Sequence, residues 1–278
     1  MSKPDQSEAM VTTLYSSKGG AGVSTAAALM ALAAGGRDQE VILVDLCGDQ
    51  PYLFGEYADP AGITEWARKG CADGGLDALL RPLSSVDYDG TAALLPLGGE
   101  FPVRSRLGTG PQITAEPAAA AEALVRWMRG RGHVIVDAGN LSDPRDEPGR
   151  HWLLRRAVAE ASDHRVLVTR QCVLGMRTHS NMDIEPTGVV LVAQQGSSLR
   201  RGDIERAAAA PVVGTLPVDP ETALAAASGI SRIRLDDDVL VRMGSAYSEL
   251  VVAAARDDHR EGAGGGGPHL GLVHDALS

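Results

Sequence analysis

The sequence predicts an α/β chain folded as a doubly wound, mainly parallel sheet with helices on both faces. Short, continuous apolar runs recur along it, and helix-length stretches separate most of them. A strand covered on both faces needs apolar side chains in both directions, so continuous runs point to a parallel sheet with crossover helices. A further observation locates a site: the first apolar run ends in a glycine cluster that leads straight into an alanine-rich helix.

In chain order, residues 11–15 (VTTLY) form the first strand and 24–34 the first helix. Strands follow at 41–45 (VILVD) and 92–97, while the Gly-, Pro- and Asp-rich stretch 70–90 and the stretch 98–111 lack periodicity and read as loops and peripheral elements. Then come a helix at 115–129, a strand at 134–137, a helix at 152–161, strands at 165–169 and 188–193, and a helix at 203–209. A strand at 212–216 and helices at 220–227 and 237–256 complete the pattern. The acidic run from Asp236 to Asp238 opens the last helix, where negative charge favours the positive end of the helix dipole. This gives a flexible N-terminus over 1–10, one domain over 11–258, and a Gly-rich linker (AGGGG, 263–267) with a short tail within 259–278.

At 278 residues the chain is long enough to bury a full core. Aromatic residues make up only 4% of it, so Leu, Val, Ile and Ala must fill the interior, which favours helices packed on a buried sheet. A net charge of -10 opposes non-specific attraction to DNA or anionic lipid. Direct DNA contact would rest on local pairs such as Arg155 with Arg156, Arg200 with Arg201 and Arg232 with Arg234, which read better as solvated surface. Cys47, Cys71 and Cys172 form no CxxC pair, no HExxH spacing occurs, and His269 with His274 reads as incidental. Neither a disulfide framework nor a zinc site is therefore expected, and a reducing cytoplasm fits. No stretch approaches the roughly 18 apolar residues that span a bilayer. Residues 1–10 lack the pattern of a signal peptide, and 268–278 carry no Lys or Arg to hold a helix on lipid. A tail on a glycine tether suits docking into a protein groove, or nothing specific.

The chemistry concentrates at the glycine loop. Gly19, Gly20 and Gly22 let backbone N–H groups approach an anion, the helix from Ser24 points its positive end the same way, and the Ser24 hydroxyl suits magnesium. Against the general phosphate-loop pattern GxxxxGK[ST], the segment 17–24 (SKGGAGVS) departs twice: Ser17 stands at the first glycine, and Val23 at the lysine. The second departure replaces a cation with an apolar side chain that cannot donate a hydrogen bond.

The segment KGGAGVST (18–25) resembles the deviant Walker A signature KGGxGK[ST]T of the ParA/MinD family, the SIMIBI-type P-loop ATPases. The resemblance implies the P-loop NTPase fold, ATP and Mg2+ as cofactors, and a homodimer with a protein partner. Lys18 matches the family's signature lysine, which reaches phosphates across the dimer, and Gly19, Gly20, Ala21, Gly22, Val23, Ser24 and Thr25 match the loop. Asp45 in VILVD matches the first aspartate of the family's DxD element, so Lys18 and Asp45 carry the implied catalytic roles. The second aspartate is Cys47 here, a weak substitute for a carboxylate in orienting water. HVIVDAGNL (133–141) resembles the Walker B strand, which puts Asp137 with Ser24 and Asp45 around magnesium. VVGTLPVD (212–219) resembles the segment beside adenine, with Pro217 and Asp219 at its end and 223–229 fitting the continuation. Gln194 and Gln195 stand where the family places Asn-Arg.

Asp45 and Asp137 have a plainer reading as strand-end helix caps, and Cys47 as a small, partly buried residue. Losing both the loop lysine and the second aspartate removes charge stabilisation and water positioning together, where one such contact can be worth ~10²-fold in rate. The chain thus resembles degenerate members of the family, of the septum-site-determining or TadZ/CpaE-like kind. The function implied is an ATP-binding pseudo-ATPase that positions or regulates, in division, partition or secretion and pilus localisation. A slow genuine ATPase using Lys18, and a nucleotide-free scaffold, stay open beside it.

Overall fold

The computed structural model describes residues 9–35, 40–55, 61–71, 74–83, 90–99, 117–142, 150–194, 196–197, 199–218, 229–230 and 237–261. Strands β1 (Met10–Ser16), β2 (Val41–Asp45), β3 (Arg81–Pro82), β4 (Ala92–Leu95), β5 (His133–Asn140), β6 (His164–Arg170), β7 (Gly188–Ala193) and β8 (Val212–Pro217) make one 8-stranded sheet. Its order is β3-β4-β2-β5-β1-β6-β7-β8, and every pairing is parallel except that of β3 with β4. Around it lie α1 (Val23–Gly35), α2 (Gln50–Leu53), α3 (Ile63–Arg68), α4 (Pro117–Arg129), α5 (Arg150–Ala161), α6 (Val173–His179), α7 (Arg201–Ala208) and α8 (Asp237–Glu261).

The expected doubly wound sheet is present, and the reason is visible in β2. Val41 and Leu43 enter the core beneath α1 and α8, whereas Ile42 and Val44 enter the core shared with α3, α4 and α5. With both faces covered, each residue of the strand is buried and none needs to be polar until Asp45 at its end. A third cluster on the α5, α6 and α7 side gathers Tyr15, Ala138, Leu167, Met176, Ile204 and Val212.

Short elements add to the sequence expectation. α2, α3 and α6 fall where the pattern assigned no element, and β3 is a peripheral element within 70–90; none is long enough to display a period of its own. The expected helix at 220–227, Asp219, Gln195, Asp236, Arg232, Arg234, His269 and His274 lie outside the described residues, as do residues 1–8 and the tail.

Helix α1 is buried nearly all round, from Val23 through Ala26, Leu29 and Met30 to Gly35, since it is sandwiched between the sheet and α8. Its alanines keep the two helices close. α8 reaches the sheet through two further devices. A Cβ on Gly214 of β8 would lie 2.6 Å from the Ala246 Cβ, so that close approach needs glycine. The buried Tyr247 hydroxyl lies 2.6 Å from His133 Nδ1 at the start of β5. Acidic Asp237 and Asp238 occupy the first turn of α8, as its charge pattern predicts.

Gly214→Val is accordingly expected to lift α8 from β8 and cost ~1–3 kcal/mol, read as a lower urea midpoint. Gly202→Ala in α7, where an added Cβ meets nothing within 4 Å, is the contrasting change and should leave the midpoint unchanged or raise it. Equal losses from both would show that α8 is not seated as described.

Candidate functional site

Strand register builds the site. β2 and β5 are adjacent and parallel, and Asp45 pairs with Asp137. Registered residues on neighbouring parallel strands point to the same side about 4.8 Å apart, so the two carboxylates have no choice but to meet. Both are fully buried. Immediately beyond, the β1–β5 register shifts by one residue between Leu14 and Tyr15, a bulge that leaves Ala138 unpaired before the ladder resumes at Tyr15 with Gly139.

Beyond β2 the chain turns tightly over Asp45, whose Oδ1 accepts the N–H groups of Cys47 at 2.9 Å and Gly48 at 2.7 Å and whose Oδ2 accepts that of Gln50 at 3.3 Å. Asp45 thus caps its own turn, and in doing so fixes Cys47 over Asp137. The Cys47 Sγ lies 3.5 Å from both Asp137 Oδ1 and the Asp137 carbonyl oxygen. Asp137 also accepts the Gly139 N–H at 3.1 Å and Gln50 Nε2 at 2.7 Å. Among the described residues, Asp45, Cys47 and Asp137 bring their ligand atoms within 4.8 Å of one another.

Burial and mutual repulsion set the protonation of this group. Burial, then the charge of Asp137, pushes the Asp45 carboxyl up from its ordinary 3.8 to about 7, against the pull of its three N–H donors. Asp137 is raised by burial, partly offset by the Gln50 hydrogen bond and the nearby Ser24 hydroxyl. Cys47 is held well above the usual thiol range by burial and by the two carboxylates, so without a cation it is a neutral thiol.

The glycine loop lies at the end of the adjacent strand β1. Gly20 has φ 73° and Gly22 φ 96°, a left-handed backbone that favours glycine at both positions. Lys18, Gly19 and Gly20 are exposed at the rim, while Ser24 and Thr25 sit half-buried at the start of α1. The departure at Ser17 has a use: its buried hydroxyl donates to the Gly175 carbonyl of α6 at 2.8 Å, tying the loop to the body. Val23 faces the other way. It is 5% exposed and belongs to the core with Val190, Val192 and Leu216. Its side chain therefore adds nothing to an anion site, which leaves the loop its backbone amides.

Ser24 Oγ donates to Asp49 Oδ2 at 3.3 Å, and Gln50 Nε2 reaches the Ser24 carbonyl at 3.0 Å. Oxygen donors from Ser24, Asp45 and Asp137 thus gather where the loop meets the strand ends, and the buried Gln50 Oε1 beside them accepts no hydrogen bond. This donor set fits a hard divalent cation such as Mg2+ in its oxygens, and fits it poorly at Cys47. Farther along the strand ends, Gln194 is exposed with its N–H bound to Gln171 Oε1 at 3.1 Å, and Pro217 is half-buried at the end of β8.

Sequence reasoning missed two members of the site. Gln50 is completely buried at the start of α2; Pro51 beside it was the available signal for a helix start. Arg155 was expected at the surface but is 6% exposed, because it projects from the inner face of α5. Its Nη1 lies 3.5 Å from the Ala138 carbonyl. A Cβ on Gly139 would collide with Cys47 Sγ and stand 3.5 Å from the same Nη1, so the guanidinium stands beside the thiol.

Sheet, loop and strand-end carboxylates define a P-loop α/β domain. Its particular fold is that of MinD and the ParA-family ATPases. MinD in the MinC:MinD complex of Aquifex aeolicus is 16% identical, with a TM-score of 0.66 over 88% of this chain and 96% of that chain. The septum site-determining protein MinD of Pyrococcus horikoshii OT3, complexed with Mg-ADP, is 15% identical with a TM-score of 0.61 over 91% and 98%. A variant of McdA from Cyanothece in complex with ATP is 14% identical with a TM-score of 0.62 over 90% and 97%. No family model and no curated protein matches the sequence. No helix among the described residues is long and apolar enough to cross a membrane.

The carboxylate pair predicts an unusual pH profile. Between 3.8 and about 7 the folded chain holds a proton on Asp45 that the unfolded chain has released. That stability is fully present at the acid end and is lost as pH rises through about 7. In chelator, denaturant midpoints should therefore fall more between about pH 5 and about pH 8 in the wild type than in Asp45→Asn. Parallel profiles for the two proteins would contradict a shared proton.

Proposed function

We propose that this chain is a ParA/MinD-like positioning or regulatory protein that binds ATP with Mg2+, pairs with a second copy of itself and recruits a protein partner, with hydrolysis slow or absent. The observation that carries the reading is a phosphate loop complete in its backbone and incomplete in its charges. Gly20 and Gly22 keep the left-handed conformations of an anion cradle, while Val23 is packed into the core and Cys47 stands where a water-orienting carboxylate is needed. The amides of residues 19–25 would receive the phosphates at the positive end of α1. Ser24, Asp45 and Asp137 would hold Mg2+, which supplies charge neutralisation to the phosphates. Gln194, Pro217 and Asp219 would flank the base.

Solved structures of the same fold hold Mg-ADP and ATP, and one is a complex with MinC, which supports nucleotide as ligand and a protein as partner. Division-site placement, partition, and secretion or pilus localisation are the processes this reading serves, in the cytoplasm and with a protein partner favoured over direct DNA contact. The exposed position of Lys18 favours a second reading, a slow ATPase in which that lysine supplies the missing charge.

Titration calorimetry of ATP and ADP with magnesium, with light scattering on the same samples, tests the proposal. ATP is expected to bind and drive dimer formation, Lys18→Ala to abolish the dimer, and turnover to stay near background. Restoring both side chains, Val23→Lys with Cys47→Asp, should raise hydrolysis by ~10²-fold or more, with a thermal melt confirming that each variant folds. Measurable wild-type turnover that disappears in Lys18→Ala would establish the second reading. No binding at about millimolar nucleotide would overturn both and leave a scaffold.

A further inference from the structure

We propose that Asp45, Cys47 and Asp137 form a nucleotide-independent site for a thiophilic divalent cation of the zinc class, with Cys47 as the ligand that sets the choice of metal. The inference does not rest on the nucleotide reading, since every ligand belongs to the end of β2, to the turn after it or to β5.

Geometry carries it first. Metal–sulfur and metal–oxygen bonds of about 2.3 and about 2.0 Å, set at a tetrahedral angle, place the two donor atoms about 3.5 Å apart. Cys47 Sγ lies 3.5 Å from Asp137 Oδ1. The third ligand atom, on Asp45, lies within 4.8 Å of the others, and the turn that carries Cys47 is the one folded over Asp45. An unmet acceptor stands on a side chain that touches the group. Gln50 is fully buried with its Nε2 against Asp137 Oδ2 at 2.7 Å, and Oε1 of the same amide has no hydrogen-bond partner. An acceptor left unmet in so dry a place points to a Lewis acid or a bridging water beside it.

Charge carries it further. Among the described residues, two carboxylates and a thiolate stand with the Arg155 guanidinium, which leaves two negative charges that a divalent cation cancels. Exposed Asp49 adds to the attraction from the solvent side. On binding, the Cys47 S–H bond breaks and its proton leaves to solvent, as does any proton held on Asp45, and the sulfur and carboxylate lone pairs form the bonds to the metal, so no oxidant or reductant is needed. Magnesium demands oxygen ligands in octahedral array, so a thiol in the first shell selects against it.

Co2+ is the probe, because a cobalt–thiolate bond absorbs in the near ultraviolet where a cobalt–carboxylate bond does not. Chelator-treated full-length protein, with no nucleotide present, is titrated with Co2+. The expected result is a thiolate charge-transfer band that saturates at one Co2+ per chain, is bleached by Zn2+, and survives ~100-fold excess Mg2+. The band should persist in the Cys71→Ser, Cys172→Ser double variant and vanish in Cys47→Ser, with Zn2+ affinity at least ~100-fold weaker. Cys47→Asp is the second variant: it keeps three acidic oxygen ligands and should bind Co2+ without the thiolate band. A wild type lacking the band, a band that survives in Cys47→Ser, or displacement by Mg2+ as readily as by Zn2+ would overturn the proposal.

Discussion

Two aspartates placed side by side by strand register are the constraint around which the rest of the site is arranged. In a parallel pair the registered residues share a face, so once β2 and β5 align Val41 with His133, the alignment of Asp45 with Asp137 follows four residues on. Two buried carboxylates at that spacing cannot both ionise cheaply. The surrounding structure answers with donors: the turn after β2 folds its N–H groups onto Asp45, and the amide of Gln50 is drawn under the sheet edge to Asp137. The short helix α2 is thus a consequence of the acidic pair. Its far end is held separately, by Leu53 and the C-cap Phe54 packed into the core beneath α1.

The loop follows a different logic. Its conformation rests on glycines at positive φ and on Ser17 bound to α6, neither of which involves a charge. That is why the loop keeps an anion-receiving shape although Val23 has been given to the core. An apolar residue at the first position of α1 joins the core cluster that holds Val192 and Leu216, and a lysine aimed at a ligand could not fill that space. The substitution exchanges ligand charge for packing, and the helix it begins is buried nearly throughout.

The sheet was legible because each strand buried on both faces must be apolar at every position, and continuous runs survive in the sequence as a plain signal. The loop was legible because its glycines and the helix after it are contiguous. What stayed hidden depends on contacts between distant segments. Arg155 looks like a surface residue beside Arg156 in a helix of weak amphipathicity, and only the packing of α5 against β5 turns it towards Cys47. Gln50 lies in a four-residue helix too short to announce an inner face. Cys47 was readable as a lost aspartate, but its distance from Asp137 exists only once β2 and β5 are paired. The expectation of no zinc site rested on spacing along the chain, a rule that does not see Asp45, Cys47 and Asp137 brought within 4.8 Å of one another by a sheet.

The charges of loop and acidic pair bear on one another. A loop lysine ordinarily offsets both the phosphates above it and the strand-end carboxylates below. With Val23 in its place, an incoming nucleotide meets backbone dipoles in front and a pair of carboxylates behind, while Arg155 stands on the thiol side of that pair and Lys18 at the exposed rim. Helix-terminus attraction is modest, about 0.3–1 kcal/mol per charge at exposed sites, and would not by itself hold several negative charges against two more. The field must be corrected by a proton shared between the aspartates, by a cation among them, or by Lys18 of a second copy. Protonation and cation binding compete for the same oxygens, so the first two corrections exclude each other and the third does not. On the proposed reading, a site that has lost its internal lysine makes nucleotide affinity depend on what occupies the acidic pair and on whether a partner is present. Both dependences suit a protein that responds to its state of assembly more than one built for rapid turnover.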